Sequence, residues 1–253
     1  MRFTPFAFAG GQEFLVDYLI VGGGARGSSS AAKQGGGAGK VVSGSVATYS
    51  GDIFTIVVGA GGTGSIINGE TSSLQIKSST TYYAEGANIG TSGNGFAAGN
   101  TITCDGFTVA GGGGGASTVG VNGNCPSFPT QTPGNGGTGA AWLNGIYYGG
   151  GGGAGNSDPA GANRGSGGLG GGGTGGGRMT GPPYTPIDAT SGTDGLGGGG
   201  GGQGVSSGGA GNGGSGSVII RYPAPQRAYG GNSVFESGSY VYHTFTSNGT
   251  LTT

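Results

Sequence analysis

Glycine content constrains this chain more than any other feature. Of its 253 residues 72 are glycine, roughly four times the usual share of ~7%. Glycine runs are unevenly spaced and lie, among other places, at 35–37, 111–115, 149–153, 170–173, 175–177 and 197–202. Glycine adds no side chain to a hydrophobic core and loses the most backbone entropy on folding. A folded chain of this kind must therefore be stabilised largely by backbone hydrogen bonds.

A packed bundle of polyglycine-II helices is the arrangement that we expect for these runs. The polyproline-II-type helix has three residues per turn and no internal hydrogen bonds, so its N–H and C=O groups point outward. Buried backbone groups need partners, and neighbouring helices without side chains approach closely enough to supply them. We therefore predict several such helices side by side, with hydrogen bonds in more than one direction.

The remaining composition favours an ordered chain and excludes several classes of protein. Charged residues make up 8% and aromatic residues 9%, whereas disordered chains are rich in charge and poor in aromatics. The glycines do not recur every third residue, which excludes collagen, and no apolar run is long enough for a membrane-spanning helix. A net charge of -1 gives no electrostatic footprint for nucleic acid. The N-terminal residues lack the apolar stretch of a secretory signal, so we expect none.

Short segments rich in β-branched and aromatic residues predict strands, and none has the period of a helix. We expect an all-β or irregular fold with short antiparallel strands that frame the polyglycine-II bundle and essentially no α-helix. The predicted strands are 13–21, 40–48, 52–58, 71–77, 217–222 and 238–253, the last split at Asn248–Gly249 into a hairpin. Residues 1–223 then form a glycine-rich domain with framing strands in 13–77 and 217–222, 224–237 a linker, and 238–253 a C-terminal hairpin.

Segments poor in glycine are predicted to be loops that leave the bundle, and loops on a rigid scaffold are where binding residues concentrate. These segments are 78–108, 116–134, 140–148, 156–164 and 178–194. Aromatic side chains with small polar neighbours are typical of adaptable binding loops. The candidate receptor contacts are Tyr82, Tyr83, Phe96, Phe128, Trp142, Tyr147 and Tyr184.

The motifs that would carry chemistry are weak. Two G-x-G-x-x-G matches follow predicted strands, but no helix follows either match, and a chain this rich in glycine produces such matches by chance. We therefore expect these glycines to belong to the packed bundle, and we expect no cofactor. Cys104 and Cys125 form either a disulfide between two loops or two free thiols, and two cysteines make no metal site. His243 is the only histidine; we expect a structural role for it, and no enzyme.

Three segments resemble a glycine-rich domain found in phage tail-fibre and other virion proteins. They are VDYLIVGGG (16–24), DIFTIVVGAGGTG (52–64) and GGSGSVIIRYP (213–223). In composition and plan the chain is also similar to phage receptor-binding tips built from polyglycine-II helices that carry variable loops. The resemblance implies a non-enzymatic tail-fibre or adhesin component, located in the virion or alternatively extracellular. Its implied partners are a cell-surface glycan or outer-membrane protein and other fibre proteins or further copies of the chain, with no membrane insertion.

The C-terminal segment YVYHTFTSNGTLTT (240–253) departs from the family pattern. In that pattern a similar strand precedes the VDYLIV strand, whereas here it stands at the opposite end of the chain. It either folds back onto residues 14–21 of its own chain or completes the sheet of another copy, which would give a closed oligomer or a head-to-tail filament. The residues expected to take part in assembly are Tyr18, Ile20, Tyr242 and Phe245. The alternative function is a self-assembling structural subunit, a filament or capsid decoration without a receptor role.

Overall fold

The fold is all-β in the computed structural model, which describes residues 12–30, 33–64, 66–77, 79–104, 106–126, 131–156, 163–178, 182–183, 185–205 and 209–253. No helix occurs among these residues, as the sequence predicts. The strands are β1 (Glu13–Val21), β2 (Val41–Tyr49), β3 (Ile53–Val57), β4 (Ser72–Ile76), β5 (Thr80–Ala84), β6 (Ile102–Cys104), β7 (Phe107–Val109), β8 (Ala140–Ala141), β9 (Tyr147–Tyr148), β10 (Gly177–Arg178), β11 (Pro186–Ile187), β12 (Ser217–Pro223), β13 (Ser233–Ser237), β14 (Tyr240–Phe245) and β15 (Gly249–Thr252).

Two antiparallel sheets pack face to face at one end of the molecule. The five-stranded sheet has the order β13-β14-β12-β1-β2, and the four-stranded sheet has the order β15-β3-β4-β5. Except in the edge strand β13, alternate residues of the strands in these sheets point to the shared interior, as the period of two requires. The hydrophobic core between the sheets includes Val16, Tyr18, Ile20, Phe54, Ile56, Leu74, Ile220, Tyr222, Val241, Phe245 and Leu251.

The glycine-rich segments bond to their neighbours with a repeat of three residues. Segment 22–28 continues directly from β1. Its successive N–H groups donate hydrogen bonds in turn to three neighbouring segments. Hydrogen bonding in more than one direction is the pattern that we predict from the glycine runs. The polyproline-II helix also has a repeat of three, and that conformation stays a prediction for these segments. Every third residue donates to the same neighbouring segment, and all the bonds are 2.9 Å long. Segment 34–40 accepts from Gly22, Ala25 and Ser28, segment 67–70 from Gly23 and Arg26, and segment 211–214 from Gly24 and Gly27.

Segment 149–156 lies inside this lattice of glycine-rich segments and is bonded on every side. Its carbonyl groups accept hydrogen bonds from segments 113–116, 165–168 and 199–202. Its N–H groups are donated with the same repeat of three. Gly150, Gly153 and Asn156 donate to Gly170, Gly173 and Gly176; Gly151 and Ala154 donate to Gly137 and Gly134; Gly152 and Gly155 donate to Gly36 and Lys33.

Close approach of backbones explains why the lattice needs glycine. A Cβ at Gly113, Gly152 or Gly200 would lie well inside 3.0 Å of a carbonyl oxygen of the neighbouring segment. Real Cβ atoms essentially never come so close to backbone atoms. Substitution at such a position must therefore push two segments apart and weaken their hydrogen bonds.

The C-terminal strands differ from the predicted hairpin. β14 pairs with β12 and β13 in the five-stranded sheet, whereas β15 pairs with β3 in the other sheet. The prediction is wrong because the chain crosses between the sheets at residues 246–248, where Asn232 Oδ1 accepts the Thr246 N–H and Asn248 Oδ1 accepts the Val58 N–H, each at 2.8 Å. Phe245 and Leu251 thereby enter the same core from opposite sheets.

The predicted strand partner of the C-terminal segment is also wrong. It bonds within its own chain, but not to residues 14–21, because both edges of β1 are already occupied by β2 and β12. Three of the predicted assembly residues, Tyr18, Ile20 and Phe245, are buried in the chain's own core, and Tyr242 is buried on the other face of the sheet. The predicted linker 224–237 includes β13, and the predicted loop 78–108 includes β5, so Tyr82 and Tyr83 lie on a strand.

His243 has a structural role. Its Nδ1 lies 2.7 Å from the Gly230 carbonyl oxygen, which only accepts, so Nδ1 carries the proton. Its Nε2 then accepts the Tyr222 hydroxyl proton at 2.8 Å. The same Tyr222 oxygen accepts the N–H groups of Arg227 and Ala228. This network fixes the connection between β12 and β13 around a fully buried, neutral imidazole, whose pKa is lowered by burial.

We predict that Gly200→Ala destabilises the protein by about 3 kcal/mol because the added Cβ meets the Gly211 carbonyl. A loss of that size lowers the melting temperature by roughly 6–12 °C in a chain of this length. Gly64→Ala is the matched control, since a Cβ there has no neighbour within 4 Å. Thermal unfolding followed by circular dichroism measures both variants, and equal melting temperatures would contradict the lattice.

We also predict that stability falls as the pH drops below about 6.5, the ordinary histidine value. The pKa of His243 is lower in the folded chain than in the unfolded chain, so the unfolded state binds the extra proton first. The contribution of the neutral imidazole is fully present above that pH and is lost as the pH falls toward the folded pKa. Urea unfolding between pH 7.5 and 5 measures the slope, and His243→Asn should flatten it. A slope unaffected by this substitution would disprove the assignment.

Candidate binding surface

Arg221 organises the face of the five-stranded sheet that points away from the core. It stands opposite Asp17 in the β1–β12 pairing, and its Nε donates to Asp17 Oδ2 at 3.0 Å. The two side chains are only 11% and 20% exposed, so the ion pair is shielded from solvent more than a surface pair is. Ser45 Oγ donates to the other oxygen of Asp17 at 2.6 Å. The pair thus ties β1, β2 and β12 together on their outer face.

The same guanidinium anchors the β8–β9 hairpin, residues 140–148, to this face. Arg221 Nη1 donates to the Leu143 carbonyl oxygen at 3.3 Å and to the Tyr242 hydroxyl at 3.2 Å. The guanidinium carbon lies 4.2 Å from the centre of the Tyr240 ring, within the range of a cation–π contact. Burial alone would lower the pKa of Arg221, but the hydrogen bonds with Tyr242 and Asp17 reverse this and raise it, which keeps the group charged.

Aromatic side chains of the hairpin fill the space beneath it. Trp142 and Tyr148 pack with Leu19, Val21, Ile219 and Tyr242 in a second hydrophobic cluster. The Tyr148 hydroxyl accepts a hydrogen bond from Asn144 Nδ2 at 2.8 Å, and burial raises the pKa of Tyr148. These contacts hold the base of the hairpin in one position on the sheet.

The tip of the hairpin is apolar and exposed. Leu143, Ile146 and Tyr147 expose 56%, 47% and 41% of their surface. On one side of the hairpin a cavity of about 430 Å³ is lined by Ser43, Ser45, Trp142 and other residues. On the other side an apolar groove of about 250 Å³ is lined by Ile146, Tyr148, Phe235 and Thr244 among others. Exposed apolar residues between two grooves are typical of an interaction surface.

The predicted receptor contacts do not form one surface. Tyr83 is 56% exposed on β5 of the four-stranded sheet, and Tyr147 is 41% exposed on the hairpin. Tyr82 is half-buried with its ring 4.9 Å from that of Tyr18, and Phe96 is also half-buried. Trp142 is buried beneath the hairpin rather than displayed. Phe128 and Tyr184 lie outside the described residues.

Sequence reasoning picked out segment 140–148 with Trp142 and Tyr147, but it missed the other residues that build this surface. Arg221 and Asp17 each interrupt an apolar strand in a chain with few charges, and a charge inside a buried strand indicates a pairing partner. That signal was present in the sequence. The tip residues Leu143 and Ile146 gave none, because only the turn between β8 and β9 turns them toward solvent.

The two cysteines and the glycine motif that the sequence analysis singles out take part in contacts that hold the fold together. Cys104 and Cys125 form a disulfide that links β6 to the segment after Gly123. Gly22, Gly24 and Gly27 are the glycines of the first G-x-G-x-x-G match. They donate their N–H groups to backbone carbonyls, so these groups are not free to bind a phosphate. Within the ranges that the structure describes, no cluster of acidic, histidine or cysteine residues could hold a metal ion. Those ranges also contain no helix with the length and apolar character of a membrane span.

We predict that Arg221→Ala frees the hairpin and leaves Asp17 without its partner. Loss of this largely buried ion pair should cost about 2 kcal/mol, a value between those for surface pairs and fully buried pairs. Trp142 is the only tryptophan, so its fluorescence should shift to longer wavelength as it meets water. Arg227→Ala is the control, since its guanidinium lies over Phe14 at 5.5 Å, away from the hairpin. An unchanged emission spectrum in Arg221→Ala would refute this anchoring role.

Comparison with known proteins identifies the chain at the level of a family. Residues 11–223 match the family described as a glycine-rich domain. No curated protein and no solved structure matches the chain. The match covers the strands β1 to β12 and the lattice between them, and therefore most of the chain. The chain belongs to the glycine-rich domain family.

Proposed function

We propose that this chain is a non-enzymatic structural component of a phage virion, a tail-fibre or adhesin module that binds the host surface. The observation that carries the proposal is the β8–β9 hairpin, whose apolar tip projects from a firmly anchored base. The phage setting is supported by the resemblance of segments 16–24, 52–64 and 213–223 to domains of virion proteins. An extracellular location is the alternative setting.

Rigidity of the scaffold suits a binding role. The hairpin is fixed by Arg221, Trp142 and Tyr148 before any ligand arrives. A preformed surface loses less conformational entropy on binding than a mobile loop does. The lattice that continues from the ends of the strands adds further rigidity, because its segments are bonded on several sides.

The chemistry of the surface suits the partners that the family resemblance implies. The apolar tip residues Leu143 and Ile146 fit an outer-membrane protein, and the serine-lined cavity beside Trp142 offers hydroxyl groups to a glycan.

No catalytic step is part of the proposal. The single histidine has both ring nitrogens committed to Tyr222 and Gly230, which leaves it no proton to exchange with a substrate.

Binding to intact cells tests the host-surface role. Fluorescently labelled protein is added to a panel of bacterial strains and to outer-membrane vesicles with and without their polysaccharide. A tip variant, Leu143→Ser with Ile146→Ser and Tyr147→Ser, should bind at least tenfold more weakly than wild type. Tyr83→Ser removes an exposed aromatic from the opposite sheet and should bind normally. Equal binding by the tip variant would overturn the role of the hairpin.

Electron microscopy tests the virion assignment separately. Antibodies against the chain, applied to negatively stained phage particles from cells that carry the gene, should label the tail or its fibres. Label on long filaments that are free of particles would instead favour the self-assembling subunit without a receptor role.

A further inference from the structure

β13 forms an outer edge of the five-stranded sheet and leaves its backbone open. All five of its residues are exposed, including Val234 at 41% and Phe235 at 46%. It is joined to β14 by a tight turn at Gly238–Ser239, with a φ of +60° at Gly238, and Ser237 pairs with Tyr240. In a two-residue hairpin the closing pair exchanges hydrogen bonds, and every second pair does so after it. The N–H and C=O groups of Val234 and Glu236 therefore point away from the sheet.

Two other outer strands, β2 and β15, have hydrogen-bond partners at positions along their outer edges. On β2, Asn94 Oδ1 accepts the Val41 N–H at 2.8 Å, and Asp52 Oδ2 accepts the Tyr49 N–H at 2.7 Å. The outer edge of β15 exchanges hydrogen bonds with Tyr229 through Thr252. Among the described residues, none bonds to the outward groups of β13. The strand also lacks the lysine or proline with which proteins usually protect such an edge, and Glu236 is its one charged residue.

We propose that β13 pairs with β13 of a second copy of this chain, antiparallel about a two-fold axis through Phe235. The sequence of the strand, Ser-Val-Phe-Glu-Ser, is self-complementary in this register. Val234 and Glu236 of one chain exchange both backbone hydrogen bonds with Glu236 and Val234 of the other. Like charges do not face each other, because each Glu236 stands opposite a valine. The two five-stranded sheets become one continuous sheet.

Aromatic rings support the same register. Phe235 stacks on Tyr242 with ring centroids 5.1 Å apart and an interplanar angle of 4°. On the two-fold axis Phe235 faces its own copy as a pair without hydrogen bonds, the arrangement in which cross-strand side chains come closest. A ladder of four rings, Tyr242 and Phe235 from each chain, then crosses the interface. This interface goes beyond the host-surface role and does not depend on it. Of the assembly residues that the sequence predicts it involves only Tyr242, through the stacking of its ring on Phe235.

Analytical ultracentrifugation of the full chain tests the pairing. Wild type should sediment at twice the chain mass of 23.8 kDa. Val234→Pro removes an outward N–H that the fold does not use, a position where an edge strand tolerates proline, and should raise the dimer dissociation constant at least tenfold. Leu15→Ser removes an exposed apolar side chain elsewhere and should remain dimeric. A monomeric wild type up to the solubility limit would overturn the proposal.

Cysteine cross-linking tests the register and does not depend on how well the proline variant folds. The Cα atoms of facing residues in such a pair lie about 4.5 Å apart, close enough for a disulfide. Phe235→Cys should therefore form a covalent dimer on mild oxidation, and Ser233→Cys alone should not. The double variant Ser233→Cys with Ser237→Cys should cross-link, because these positions face each other across the axis. Equal cross-linking of Phe235→Cys and Ser233→Cys, or none in Phe235→Cys, would refute this register.

Discussion

Hydrogen bonds between glycine backbones are the interaction on which the rest of the structure depends. In a strand, N–H groups alternate between two neighbours, whereas in segment 22–28 they rotate among three. Such bonding requires backbones to approach where a Cβ would collide with a carbonyl, as at Gly152 and Gly200. Each fixed glycine costs much conformational entropy, and the bonds on several sides offset that cost. The abundance of glycine is thus a packing requirement.

The sheets set the alignment of the lattice. Val21 pairs with Val41 in the β1–β2 ladder, and the bonds from Gly22 to Lys40 and from Ala25 to Gly37 continue that register into the glycine segment. The β1–β12 ladder continues in the same way into the bond from Gly24 to Gly214. Apolar burial between the sheets fixes the register of the strands, and the glycine segments that continue from these strands keep that register. The hairpin 140–148 and β13 are then displayed on the outer side and the edge of one sheet.

Sequence patterns predicted the framing strands well, because β1, β3, β4 and β12 combine β-branched residues with glycine boundaries. They failed where tertiary contacts decide. Asn248–Gly249 has the chemistry of a hairpin turn, yet Phe245 and Leu251 lie in different sheets because the shared core accepts both. Trp142 belongs to a segment predicted as a binding loop but packs inward against Ile219. Arg221 could have been suspected as a buried charge, whereas its link to the Leu143 carbonyl depends on a fold that brings distant segments together.

Residue-resolved amide hydrogen exchange tests most directly the claim that the lattice is a cooperative part of the fold. The N–H groups of Gly151 and Gly200 donate to Gly137 and Ala25 inside the lattice, whereas that of Ile220 lies in a core strand. If the lattice and the sheets unfold together, all three amides exchange only through global unfolding and give the same free energy of opening. Fast exchange at Gly151 and Gly200 beside a protected Ile220 would show that the glycine runs are flexible linkers and would contradict this account.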